Sequence, residues 1–160
     1  RPTTALDVTI QAQVLELLHL IQKETNSAMA LITHNLGLIA ELADRVTVMY
    51  GGRLVETGDV HTIFHDARHP YTLGLMACLP RLEGTAELLP IPGHPPSLIN
   101  LPAGCAFRPR CELTQGRERC YKERPPLYHL DADHRSACHF HHDMAEFRKS
   151  MGKKVAMDLN

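Results

Sequence analysis

Four thiols carry the most distinctive chemistry of this 160-residue chain. They read Cys105-x5-Cys111-x8-Cys120-x17-Cys138, within 34 residues rich in Pro, Gly and Arg. A metal centre needs several sulfurs that reach one point, and loop-borne cysteines can do so without a helix or strand dictating their direction. Two chemistries fit: an iron–sulfur cluster with four Cys ligands, or structural Zn2+. The Cys-x2-Cys knuckle common in zinc fingers is missing, which favours the cluster. Arg108, Arg110, Arg117 and Arg119 are close enough in sequence to offset the charge of four thiolates. The bland alternative is four reduced cysteines buried as small hydrophobes. His134, His139, His141 and His142 crowd the last thiol; they read as a solvated run, with replacement of a cysteine as the other option. Cys78, the fifth, stands on an apolar helical stretch and reads as core. An odd count and no secretory leader argue against disulfides.

Composition narrows the function classes. Lys and Arg number 17 against 18 Asp and Glu, so a dominant nucleic-acid footprint is not expected. No apolar run approaches the roughly 20 residues that span a bilayer, so membrane association is expected to go through a partner. Hydrophobic residues make up 44% but aromatics only 5%, which rests the core on aliphatic side chains. A break near residue 80 separates two kinds of chain. Residues 1–79 hold two of the 11 prolines and one of the five cysteines, and residues 80–160 hold the rest.

Hydrophobic periodicity then supplies the elements. Val8, Ile10, Val14, Leu17, Leu18 and Ile21 mark an amphipathic helix over 8–26 with Asp7 as its N-cap. Ala28 to Thr33 is a short uninterrupted apolar run and predicts a strand buried on both faces. Leu36, Ile39, Ala40 and Ala43 mark a short helix. Arg45–Tyr50 and Arg53–Glu56 flank Gly51-Gly52 as a hairpin. Gly58-Asp59 starts a helix over Val60–Phe64, and Thr72–Leu79 gives another, stopped by Pro80. This order is α/β. Residues 83–103 read as an irregular Pro-rich linker, 104–142 show little periodicity, and 144–160 read as a frayed helix or disordered tail.

Pro2-Thr3-Thr4-Ala5-Leu6-Asp7 before a Gln-rich helix resembles the D-loop of ABC ATPases, and Thr33-His34 resembles their switch-histidine loop. Asp44-Arg45-Val46 and Met49 to Gly58 resemble the hairpin that follows. His69-Pro70-Tyr71-Thr72, Gly93, Pro102-x-Gly104-Cys105-x-Phe107-x-Pro109-Arg110-Cys111 and Cys138-His139 resemble the C-terminal extension of oligopeptide/dipeptide ABC importer ATPase subunits. The resemblance implies an α/β fold, the C-terminal part of a P-loop ABC-type nucleotide-binding domain followed by a small irregular Cys-rich extension. Domains are expected at 1–79, 80–143 and 144–160. It implies that His34 senses the γ-phosphate and that Asp7 contacts a second ATPase subunit across an ATP-sandwich dimer. Cys105, Cys111, Cys120 and Cys138 match the ligands of a four-iron cluster, with zinc as the alternative.

ATP and Mg2+ are implied for a complete subunit, with membrane permeases and, indirectly, a solute-binding protein as partners, at the cytoplasmic face of the membrane. The chain holds no Walker A, signature or Walker B sequence, and Arg1 stands where the family has its catalytic Glu; a guanidinium cannot accept a proton from water. The chain alone is therefore not expected to hydrolyse ATP. The competing expectation is a non-enzymatic metal- or redox-sensing module on a truncated ATPase scaffold.

Overall fold

The computed structural model describes residues 4–78 and 91–157, in two compact units, 1–34 and 35–160. In the first unit, α1 (Thr4–Thr25) begins ahead of Asp7, which therefore lies inside the helix and not at its N-cap. The Asp7 side chain is outside the described residues. The Thr25 hydroxyl donates to the Ile21 carbonyl at 2.7 Å, and Asn26 turns left-handed at φ 48° to end the helix. Ala28 to Thr33 departs from expectation. It forms no strand, and Ile32 is fully exposed. A parallel strand takes every ladder bond from neighbours, and the one sheet among the described residues does not include this run.

The second unit opens with α2 (Leu36–Leu42). The Asn35 side chain accepts from the Gly37 and Leu38 amides and satisfies the exposed first turn. Strands β1 (Arg45–Tyr50) and β2 (Arg53–Asp59) form the expected hairpin. Its turn needs two positive φ angles, and Gly51 (57°) and Gly52 (72°) supply them. Alternation in β1 buries Val46, Val48 and Tyr50. The Asp59 side chain caps α3 (Val60–His65) through the Thr62 amide at 2.9 Å. Helix α4 (Pro70–Ala77) starts two residues earlier than the apolar pattern indicates, because His69 caps it and Pro70 fits its first turn. Pro80 and most of the expected linker lie outside the described residues.

The Cys-rich stretch is built of 3-10 turns, the one-turn helix α5 (Arg119–Lys122), and the two-residue strands β3 (Tyr128–His129) and β4 (Arg135–Ser136). Strand β4 pairs antiparallel with β2, giving the order β1-β2-β4-β3. Phe107 joins Val46, Val48, Tyr50, Val55 and Ile63 in one core, with Cys105 and Cys111 packed against it. Its ring meets Tyr50 edge-on, centroids 5.1 Å apart. Residues 144–157 form α6 (Met144–Met157), anchored by fully buried Met144 beside Ala67 and Leu73.

One carboxylate joins these parts. Glu56, in mid-β2, is fully buried. Its Oε1 accepts from the Arg68 amide and from His134 Nε2 at 2.8 Å, and Oε2 accepts from the His69 amide at 3.1 Å. Ser136 Oγ donates to the Arg68 carbonyl at 2.9 Å, and the Ala137 amide to the Val55 carbonyl at 2.7 Å. Removing Glu56 strands three donors in a site closed to water. Glu56→Ala is expected to lower the stability of the 35–157 fold by about 3 kcal/mol, read as a fall in the urea midpoint; an unchanged midpoint contradicts this role.

Candidate functional site

Each cysteine is placed by a different local device. Gly104 precedes Cys105 with φ 75°, and a Cβ there would stand 2.4 Å from the Cys120 carbonyl oxygen. Only glycine permits that approach, which lets the Cys105 amide donate to the same carbonyl at 3.0 Å. Cys111 joins two 3-10 turns, Arg108–Arg110 and Glu112–Thr114. Cys120 rides on α5, and Cys138 follows β4. All four thiols are free of disulfides. They line one narrow cavity whose wall also includes His69, Phe107 and Thr114. Cys78 is not among the residues of that wall; it is the half-buried C-cap of α4.

Burial sets the protonation of these sulfurs. It pushes Cys111 up to about 11 and Cys138 up to about 12, and it raises Cys105 and Cys120 as well. In the absence of a cation the four are neutral thiols at neutral pH. Among the described residues no group of three or more His, Cys, Asp or Glu is drawn together tightly enough to hold a metal ion as it stands. Cationic help is uneven. Arg117, Arg108 and Arg119 favour the Cys120 thiolate, whereas Arg110 is spent on structure, donating to the Pro92 and Ile91 carbonyls at 2.7 and 3.0 Å. Thr114 is 4% exposed, and its hydroxyl sits against Cys111 and Cys120, where hydrogen bonding from it favours their thiolates. Four sulfurs, a cationic flank and this hydroxyl make a donor set suited to a thiolate-bound centre.

Of the histidines near the last cysteine, His134 and His139 are not solvated. His134 is 3% exposed and bound to Glu56. His139 is 5% exposed and bonded through both ring nitrogens: Nε2 donates to the Glu123 carbonyl at 3.0 Å, so Nδ1 accepts from the Tyr128 hydroxyl at 2.9 Å. Both ring nitrogens are occupied, which removes His139 as a substitute ligand. His141 is half-buried and His142 is exposed. In the first unit His34 sits at an exposed bend after the 28–33 run, which forms no strand. The spacing of the cysteines gave no hint of His69 or Thr114; a cap signal in His69-Pro70 marks only the first.

Residues 55–125 match the family described as the oligopeptide/dipeptide transporter C-terminal region. A protein of Brucella ovis named for peptide import and ATP binding is 50% identical over 144 residues, 86% of this chain and 42% of that protein. The oligopeptide transport ATP-binding protein of Mycobacterium tuberculosis is 48% identical over 139 residues, covering 86% of this chain and 22% of the relative. That of Bacillus subtilis is 50% identical over 135 residues, 83% and 37%. The chain belongs to the peptide ABC importer ATPase family through its C-terminal region. It spans about two-fifths of the length of the Brucella relative, 42%.

His69 connects the site to pH. Its Nδ1 accepts from the Tyr71 amide at 3.1 Å, and burial pulls its pKa down from 6.5 to about 3. The unfolded chain therefore binds a proton that the folded chain refuses. Stability contributed by the neutral ring is present above pH 6.5 and is lost as pH falls toward 3. His69→Asn keeps a capping side chain without the titration. The wild-type protein is expected to lose stability more steeply than this variant below pH 6.5, by up to about 1.4 kcal/mol per pH unit; parallel urea–pH curves would contradict it.

Proposed function

We propose that this chain is the C-terminal part of an ATPase subunit that powers ABC-type import of di- or oligopeptides, and that Cys105, Cys111, Cys120 and Cys138 hold an iron–sulfur cluster in it. The observation that carries the second clause is the common cavity lined by all four thiols. A four-iron cluster holds its thiolates further apart than a single zinc, whose Zn–S bonds are about 2.3 Å. That agrees with four sulfurs sharing a cavity without converging as a ready single-ion site. Bound there, the cluster would cross-link four loops that few other interactions join, and it would add a one-electron redox centre. The role favoured is the staple, since short turns and two-residue strands supply little cohesion of their own.

In the complete subunit, His34 is proposed to sense the γ-phosphate and Asp7 to meet a second ATPase subunit across bound ATP and Mg2+. Membrane permeases are the proposed partners at the cytoplasmic face. Among the described residues no helix is long and apolar enough to cross a membrane. Domains at 1–79, 80–143 and 144–160 are kept as functional divisions, the middle one bearing the cluster. A zinc-stapled or redox-sensing module is the competing reading, and the metal decides between them.

Anaerobically prepared protein is expected to be brown and to contain about four irons and four sulfides per chain. Cys111→Ser should bleach it and lower the metal content while the β1–β2 hairpin stays folded. A colourless preparation with one zinc, or metal content untouched by Cys111→Ser, overturns the cluster assignment.

A further inference from the structure

A larger cavity, about 420 Å3, lies against the cysteine cavity, and its volume falls in the range of small-molecule sites. His69, Cys105, Phe107 and Pro125 line both, so they form the partition between the two spaces. The remaining wall has a clear division of chemistry. Tyr50, Leu54 and Leu127 are apolar surface, while Arg53 and Arg124 are the charged members, and no Asp or Glu contributes. Both arginines are exposed, and neither makes an ion pair among the described residues.

The partition holds a second, independent feature. His69 is only 2% exposed, and because its Nδ1 accepts the Tyr71 amide, the proton of the neutral ring is on Nε2. The ring lines both cavities. Two guanidinium side chains outside any ion pair and an imidazole N–H on an otherwise apolar wall select a molecule with one anionic end and an apolar body.

We propose that this cavity binds a small organic carboxylate, its charge held by Arg53 and Arg124 and its body packed on Tyr50 and Phe107. Cys105 belongs to the partition, so an occupant there is adjacent to the four-thiol centre, and occupancy couples to that centre through one ligand. The proposal uses none of the nucleotide-reading residues, and it shares with the four-thiol cavity only the partition of His69, Cys105, Phe107 and Pro125.

The test uses the 160-residue chain and three probes. These are 3-phenylpropionate, 3-phenylpropanol of the same shape without charge, and acetate with charge but no body. Calorimetry is expected to show phenylpropionate binding at least about tenfold more tightly than either control, with intermolecular NMR contacts to the Tyr50 and Phe107 ring protons. The double variant Arg53→Gln, Arg124→Gln alters only exposed side chains and is expected to erase the preference over the alcohol. No measurable binding, equal binding of alcohol and carboxylate, contacts to other rings, or a preference that survives the double variant would each overturn the proposal.

Discussion

A carboxylate with no exposure to water organises the 35–160 unit. Glu56 enters β2 where strand alternation alone would put either face outward, and burial of an acid is expensive unless its oxygens are fully engaged. Two backbone amides from the Arg68-His69 turn and one imidazole from the Cys-rich stretch engage them. Those three donors come from two segments far apart in sequence. Glu56 thereby fixes the start of α4, the docking of β4, and the position of His69 in the partition between the two cavities. Replacement of all partners by apolar groups is conceivable on energetic grounds; the polar arrangement adds direction, since a carboxylate of fixed geometry accepts only from donors placed around it.

Much of this fold was readable from the residues. Gly51-Gly52 between alternating strands specifies a tight hairpin, and Asp59 before an apolar turn specifies a helix start; both are local signals with local causes. The four-cysteine set was legible because thiols in a Pro-rich stretch have few other uses. What escaped reading depends on distant partners. Glu56 looks like an exposed strand residue until His134, 78 positions on, is known to meet it. Strands β3 and β4 have two residues each and carry no periodicity. The apolar run 28–33 has the composition of a buried strand, but pairing is a property of its neighbours, and the described sheet offers it none. His134 and His139 read as a polar run because a cluster of histidines says nothing about the acceptors that bury it.

Function follows the same division between local and distant causes. Similarity over 86% of the chain sets the family, and the cavity lined by four thiols is what the proposed metal centre rests on. The hairpin and the cysteine loops share one apolar core around Phe107, so the thiol cavity is tied to β2 through packing and through Glu56. In the proposed importer subunit, the buried network at Glu56 together with the proposed metal staple would let the Cys-rich stretch move as one body with β1 and β2.

The most direct measurement is a double-mutant cycle between the two ends of the buried bond. Stabilities of the wild-type chain, Glu56→Gln, His134→Gln and the double variant would be compared in urea. The account predicts a coupling energy of roughly 2 kcal/mol, the signature of residues in one network. Single effects that add to within about 0.5 kcal/mol would show that the two side chains act independently, and the joining role given to Glu56 would be wrong.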